Sequence, residues 1–451
     1  IPMLKVKRIK KGLTINLKGK PERIFHQLPM PQKVALKPTD FLGLIPKLVV
    51  QEGDKVLAGS PLFYDKNNSD IVFTSPVSGV VESIIRGERR RITEVVVTAD
   101  EQISYEKFET PSVEKATREQ IIPLLLKSGL WPFIKQRPYA CLANPNDIPK
   151  EIFISAFDTA PLAPDYTFLI NEYKSDFVRG VAILQKLTTG KTHISLYDET
   201  RANSPFKNIP DVEYHYFSGK HPVGNVGVQI HHISPINKGD IVWTINPQDV
   251  VLIGRFFEKS IVDLRKIVAL TGNVKTPAYY KTILGAPITS VFSDFSETSN
   301  DRIISGNVLT GTKIEPNGYL GFYDSQITII EEGNRPEFLG WIAPGFNKFS
   351  FSRTFFSWLQ PDKEYKLHTN TNGGERPFVF TGLYEKVLPM NIYPIQLLKA
   401  IIVNDIDQME QLGIYEVIEE DFALCEFICP SKIEIQSLIR QGLDTIKQEF
   451  S

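Results

Sequence analysis

Residues 217–232 read FSGKHPVGNVGVQIHH and join two stretches that we predict as strands of one α/β domain. The segment carries Gly219, His221, Gly224 and Gly227. Because glycine has no Cβ, its backbone can approach a phosphate or a flat ring closely. Loops at the carboxyl ends of parallel strands bind ligands in open α/β sheets. The stretch therefore predicts either a ligand-binding loop or a structural turn, and the pattern alone favours the turn because it contains no G-x-G-x-x-G.

Three of the seven histidines of the chain lie in this segment, and they are candidate metal ligands. His231 and His232 are adjacent, so on a strand they would point to opposite faces. No cysteine or acidic residue lies at ligand spacing nearby. We therefore predict ordinary packed or exposed histidines here, and no metal site.

The composition excludes several classes of protein. A length of 451 residues predicts about three domains. The formal net charge of −1 gives no global field that would attract nucleic acid or an anionic membrane. Three cysteines are too few for a disulfide framework and fit a reducing compartment. Without an apolar run of membrane-spanning length, the chain is expected to be cytoplasmic, with any membrane association through partners.

Upstream of the α/β stretch, residues 1–100 are expected to be a basic, proline-punctuated lead-in followed by a small all-β unit. Short alternating runs between Gly-Asp and Pro-Val-Ser-Gly turns predict hairpins over 49–85. This unit resembles the barrel-sandwich fold of biotinyl and lipoyl carrier domains. Those carriers bear a modified lysine at a hairpin tip, whereas the tip here is Asn67-Asn68-Ser69 with Lys66 to one side. We expect no covalent modification.

Residues 101–275 are predicted to form a Rossmann-like α/β domain, because strand-like and helical runs alternate. Strands are predicted over 151–157, 193–197, 212–217, 241–245 and 266–270, and helices over 177–187 and 247–257. Asp158 directly follows the first of these strands. Its carboxylate can contact a ligand or cap a turn, and the two interpretations have equal support.

Residues 276–335 turn β-rich again and predict a compact β-grasp, SLBB-like module. Residues 336–451 are predicted to be an aromatic-rich connector and a C-terminal helical domain, with helices over 395–412 and 433–450. The connector includes Trp341, Phe346 and Arg353. Aromatic rings beside cations can grip a quinone, a flavin or a protein partner, although a buried aromatic cluster is the more common explanation.

Cys425 and Cys429 lie four residues apart in the C-terminal region. Two thiolates on one helical face can bind a metal, but an iron–sulfur cluster needs four ligands. Cys141 is the only other cysteine in the sequence. We therefore predict that this pair is insufficient to hold a cluster alone.

The order of phrases along the chain resembles the NqrA family, the A subunits of the bacterial sodium-translocating NADH:quinone reductase. That family is a distant relative of the C subunit of the Rnf complex and of the flavin- and NADH-binding subunit of respiratory complex I. The matching phrases span almost the whole chain: IKKGLTINLKGKPE, EGDKVLAGSPLF, IFISAFDTAPLAPD, FSGKHPVGNVGVQIHH, DRIISGNVLTGT, GWIAPGFNKFSFSRTF, TNGGERPFVFTGLYEKVLPMNIYP and EEDFALCEFICPSK.

This resemblance implies a peripheral subunit on the cytoplasmic face of the inner membrane, within a six-subunit complex that couples ubiquinone reduction to Na⁺ export. It implies attachment to the membrane-embedded B subunit, with NADH, FAD, FMN and Fe–S clusters held by partner subunits. The isolated chain is then expected to bind no cofactor firmly, with ubiquinone as its one possible ligand. The alternative is a flavin- or Fe–S-carrying electron-transfer subunit of an Rnf-like complex.

The sequence also leads to a hypothesis about one ligand cleft. We expect the turn at Asp158, the glycine-rich loop and the connector with Trp341 and Phe346 to converge, provided the strands before the first two are parallel. His221 would donate a hydrogen bond to a quinone carbonyl, with a near-neutral pKa. An aromatic ring of the connector would stack on the quinone. An inherited turn, or a docking surface for another subunit, has equal support.

Overall fold

The computed structural model describes residues 5–291, 300–334, 337, 340, 342–379 and 382–450. Within these ranges the strands form four sheets. The strands are β1 Val6–Ile9, β2 Phe25–Gln27, β3 Lys33–Leu36, β4 Pro46–Leu48, β5 Lys55–Val56, β6 Pro61–Asp65, β7 Asn68–Thr74, β8 Gly79–Arg86, β9 Ile92–Ala99, β10 Lys135–Arg137, β11 Cys141–Leu142, β12 Glu151–Ser155, β13 Thr192–Tyr197, β14 Val212–Gly219, β15 Val242–Thr244, β16 Arg265–Gly272, β17 Ala278–Ile283, β18 Asp301–Ser305, β19 Thr312–Ile314 and β20 Gln326–Glu331.

Helices cover the α/β sheet and form most of the C-terminal region. The α-helices are α1 Arg118–Lys127, α2 Tyr166–Asn171, α3 Lys174–Gln185, α4 Val226–Ile233, α5 Pro247–Lys259, α6 Ile288–Val291, α7 Pro394–Ile402, α8 Ile406–Gln411, α9 Ala423–Ile428 and α10 Ile435–Glu449.

The N-terminal β unit consists of a four-stranded sheet in the order β3-β9-β8-β5 and a three-stranded sheet in the order β4-β6-β7. Alternating apolar residues bury one face of each sheet, as a sandwich requires. Phe73 packs between Phe41 and Phe63, with ring centroids 4.5 and 4.8 Å away. The predicted barrel-sandwich fold is confirmed.

The α/β sheet has the strand order β1-β14-β13-β12-β15-β10-β11. Its first five strands are parallel, and β10 and β11 add an antiparallel edge. The chain moves from β12 outward to β13 and β14, then crosses back to place β15 on the other side of β12. This reversal makes the gap between the carboxyl ends of β12 and β15 a topological switch point, where such sheets bind ligands.

Helix α5 begins and ends at recognisable signals and packs tightly on α3. The Asn246 side chain accepts a hydrogen bond from the backbone N–H of Gln248, Pro247 occupies the first turn, and the helix stops at Ser260 with φ +56°. A Cβ on Gly254 would overlap the backbone of α3 at Asp176. Glycine is therefore needed at this crossing because the two helices touch through backbone atoms.

The third unit is a six-stranded sheet with the order β19-β18-β20-β16-β17-β2. The strand predicted over 266–270 as part of the α/β domain belongs to this sheet, so that assignment is wrong. The reason is visible in its pairing, since β16 bonds β17 antiparallel and β20 parallel. The N-terminal lead-in is also shared, because β1 extends the α/β sheet and β2 extends this one.

The helix predicted over 395–412 is two helices, α7 and α8. Asn404 adopts φ +56° between them, and the Asp405 side chain accepts a hydrogen bond from Gln408 to begin α8. Asparagine tolerates the left-handed conformation and aspartate is a preferred N-cap, so the sequence breaks the helix locally. The prediction of one continuous helix was therefore wrong.

Candidate functional site at the carboxyl edge of the sheet

A cleft of about 240 Å³ opens at the switch point of the α/β sheet. Residues that follow three parallel strands line one side of it: Phe157, Asp158 and Ala160 after β12, His221, Gly224 and Asn225 after β14, and Ile245, Asn246 and Asp249 after β15. The third unit and the C-terminal region close the other side with Asn307, Leu309, Thr310, Tyr323, Ile418 and Glu420. The cleft is thus formed by all three parts of the chain that follow the barrel-sandwich unit.

The predicted neighbours Asp158, His221 and Gly224 do meet in this cleft. The hydroxyl of Thr159 accepts a hydrogen bond from the Gly224 N–H at 2.9 Å and lies 3.1 Å from Nδ1 of His221. The Asp158 carboxylate accepts from the Ala160 N–H at 2.8 Å, which stabilises the turn after β12. The parallel arrangement expected from the sequence brings these loops together.

His221 is buried, and burial lowers its pKa to about 4. The expectation of a near-neutral pKa is therefore wrong, because desolvation disfavours the charged imidazolium. At neutral pH the ring is uncharged. It can donate or accept a hydrogen bond but holds no spare proton for transfer.

The glycines of the 217–232 segment contact the protein's own chain. A Cβ on Gly224 would lie 2.5 Å from the Thr159 nitrogen, and one on Gly227 would lie 2.5 Å from Nη1 of Arg137. Gly219 is the last residue of β14 and lies against the Ile9 carbonyl. Packing therefore explains all three glycines, although Gly224 also borders the cleft.

His231 and His232 lie on α4, so the expectation that they occupy a strand is wrong. Nδ1 of His231 lies 2.6 Å from the Glu416 carboxylate, and Nε2 of His232 lies 2.9 Å from the Pro389 carbonyl. Both rings therefore fasten α4 to the C-terminal region. Asn225 adds a hydrogen bond from its side chain to the Glu420 carbonyl at 3.1 Å.

A buried ion cluster forms the wall between α4 and the C-terminal region. Arg137 is 2% exposed and its two terminal nitrogens lie 2.8 Å from Glu420 and 3.2 Å from Asp421. Burial raises the pKa of both carboxyls, while Arg137 opposes the rise. Two carboxylates around one guanidinium form a bidentate, charge-assisted arrangement that holds this wall in register.

The wall on the α5 side carries a second set of perturbed groups. Nζ of Lys135 lies 3.6 Å from the ring centroid of Tyr323, and burial lowers the pKa of this lysine. Burial raises the pKa of Asp249 to about 7, opposed by Lys266 and Lys135. Tyr166 accepts a hydrogen bond from the Asn246 amide at 2.6 Å. Titratable groups with shifted pKa values concentrate in this cleft, as they do at ligand sites.

The connector residues do not join them. Phe346 and Arg353 are exposed and are absent from the described residues that line the cleft. Phe346 packs on Phe356 at 5.9 Å, and Arg353 lies 5.8 Å from the ring of Trp358. Trp341 lies outside the described residues. The expected convergence of this segment on the cleft is therefore wrong for Phe346 and Arg353.

Cys425 and Cys429 are fully buried in the C-terminal core. Sγ of Cys429 lies 2.9 Å from the Tyr384 hydroxyl, and burial raises the pKa of the Cys425 thiol. A buried neutral thiol behaves as a small apolar side chain. That the pair holds no cluster stays a prediction.

Sequence reasoning missed the groups that give the cleft its charge, namely Lys135, Arg137, Asp249 and Glu420. Arg137 and Glu420 are 283 residues apart in the sequence, so no local pattern links them. One signal was present. Asn246-Pro247 follows a predicted strand and begins a helix, which marks a third loop at the same sheet edge.

Comparison with known proteins identifies the family. The A subunit of the Na(+)-translocating NADH-quinone reductase of Neisseria meningitidis is 39% identical over 98% of this chain and 99% of its own length. The chain belongs to this family. A protein of the same name from Rhodopirellula baltica is 40% identical over 98% of both chains. Family models described as the NqrA N-terminal barrel-sandwich hybrid domain, second alpha/beta domain and C-terminal domain match residues 7–100, 116–262 and 267–315.

Two further findings complete the comparison. A NAD⁺-reducing [NiFe]-hydrogenase matches 50% of this chain and 48% of its own with 14% identity and a TM-score of 0.37, a likeness that bears no argument about function. Among the described helices, none has both the length and the apolar character needed to cross a bilayer.

Proposed function

We propose that this chain is the peripheral A subunit of a six-subunit, Na⁺-translocating NADH:ubiquinone reductase, and that its cleft receives the ubiquinone ring. The relatives carry that name over nearly their whole length. The single observation behind the ligand is the cleft at the switch point, where loops from three parallel strands meet. NADH oxidation and the FAD, FMN and Fe–S cofactors are assigned to partner subunits.

The groups in the cleft suit a flat molecule with two carbonyl oxygens. The neutral His221 ring and the Asn246 amide are N–H donors on opposite loops, and both line the cleft. Phe157 and Tyr323 supply ring faces. Once ubiquinone is bound, these groups would orient its ring and exclude water, while its redox chemistry would be driven by electrons from another subunit.

Attachment to the membrane is assigned to the exposed apolar connector. Ile342, Phe346, Phe356, Trp358 and Leu359 are each at least 48% exposed. A patch of this kind marks a protein or membrane contact. We assign it to the membrane-embedded B subunit, on the cytoplasmic face of the inner membrane.

A photoreactive ubiquinone analogue applied to the assembled complex tests the cleft. We expect labelled peptides from 155–160, 221–226 or 244–249, with labelling suppressed by excess ubiquinone. His221→Gln should weaken labelling, while His26→Gln, on the far sheet at β2, should leave it unchanged. Labelling confined to other subunits, together with normal quinone reduction by His221→Ala, would reject the cleft as a quinone site.

A further inference from the structure

Three metal-ligating side chains lie side by side on one face of the α/β sheet, away from the groups that line the cleft. His193 is on β13, and Glu213 and His215 are on β14. The register pairs His193 with Glu213 and Ser195 with His215, so all three side chains leave the same face. One ligand atom from each lies within 4.8 Å of the others.

We propose that His193, Glu213 and His215 form a binding site for one divalent transition metal ion of the zinc type. Nothing in the quinone-handling role calls for such a site, so the proposal stands apart from it. Two imidazoles and a carboxylate are ligands that zinc accepts, with water in the fourth position. Calcium and magnesium prefer oxygen ligands throughout and fit this set poorly.

The distances match those between neighbouring ligands of a tetrahedral ion. Metal–nitrogen bonds of about 2.0–2.1 Å place two ligand atoms about 3.3 Å apart. Nδ1 of His193 lies 2.9 Å from Nε2 of His215 and 3.7 Å from Oε2 of Glu213. Small side-chain rotations therefore suffice, and the metal would replace the one proton that the two imidazoles share.

His193 is already held as an outer hydrogen-bond partner would hold a metal ligand. Its Nε2 lies 3.3 Å from the Glu151 carboxylate, which directs the Nδ1 lone pair toward Glu213 and His215. The ring stacks on Phe153 at 4.6 Å and 12°. Metal-binding histidines characteristically donate their second N–H to a carboxylate in this way. Nε2 is buried and makes no hydrogen bond of regular geometry here, so the contact is available to tighten.

Protonation states and access also favour the ion. Burial lowers the pKa of His193 and brings that of His215 to about 4, so both rings are neutral at pH 7, as ligands must be. Lys191 contacts Oε1 of Glu213 and leaves Oε2 facing the histidines. Glu213 is 42% exposed, which gives an ion a path from solvent.

Binding of Zn²⁺ to the tag-free, chelator-treated full chain tests the proposal, by competition against a chromophoric chelator. We expect one Zn²⁺ per chain, and at least a tenfold loss of affinity in His215→Asn and in Glu213→Gln. Glu151→Gln, which alters only the positioning of His193, should lose about tenfold or more. His368→Asn, at an exposed histidine far along the chain, should bind as the unmodified chain does.

A second measurement guards against misfolded variants. Zn²⁺ should raise the Tm of the unmodified chain and of His368→Asn, because a ligand that binds only the folded state stabilises it. It should leave the Tm of Glu213→Gln unchanged, and that variant alters only a half-exposed carboxylate. Failure of the unmodified chain to take up stoichiometric Zn²⁺, or equal affinity in His215→Asn, would show an ordinary histidine–histidine hydrogen bond and overturn the proposal.

Discussion

The cleft and the connector over 342–379 both place a cation over an aromatic ring, yet the two pairs have different surroundings. Lys135 lies 3.6 Å from the ring of Tyr323 in the cleft, and burial lowers the pKa of the lysine. Arg353 lies 5.8 Å from Trp358 on the surface, where both side chains are exposed. The same residue types therefore differ in consequence, because electrostatic interactions strengthen when water is excluded.

The largest expected effect is in the cleft wall. Arg137→Ala would leave Glu420 and Asp421 buried without their cation, and should destabilise the chain by about 3–5 kcal/mol. Arg137→Lys keeps the charge but loses the forked contact, so an intermediate loss is expected. Urea unfolding followed by tryptophan fluorescence measures both. Equal stability of the alanine variant and the unmodified chain would remove the cluster from the buried side of the comparison.

Asp249 gives the cleft a pH dependence of known sign. Its pKa rises from 3.8 in the unfolded chain to about 7 in the folded one, so the folded chain holds a proton that the unfolded chain releases between these values. Its stabilising contribution is full below the unfolded pKa and is lost as pH rises through the folded pKa; part of that loss, on the order of 2 kcal/mol, falls between pH 5 and 8. Urea midpoints at pH 5 and 8 should fall less in Asp249→Asn. Parallel falls in both proteins would contradict the assignment.

The smallest expected effect on stability is in the connector. Arg353→Ala removes only an exposed cation–π contact and should change the unfolding free energy by about 0.5 kcal/mol. Phe356→Ser should be equally mild for the isolated chain, because the ring is already exposed. In the assembled complex, however, Phe356→Ser should release this chain during detergent purification. Its retention at normal stoichiometry would place the attachment surface elsewhere.

Several elements follow from sequence alone because their signals are local. Alternating residues and turns predict the barrel-sandwich unit, and Asn246-Pro247 predicts the start of α5. The order of phrases indicates the family, which the relatives confirm. The chain also encodes the break between α7 and α8 at Asn404-Asp405, although the apolar periodicity across it conceals that signal.

Other features depend on contacts between distant segments. The sequence placed Asp158 and His221 after strands, but only the parallel pairing of those strands brings both residues to one cleft. Arg137 meets Glu420 across 283 residues. His193 and His215 are 22 residues apart and become neighbours only through strand register. Burial then decides their chemistry, since desolvation turns an ordinary histidine into a neutral one, and desolvation is a property of the packed structure that no residue carries by itself.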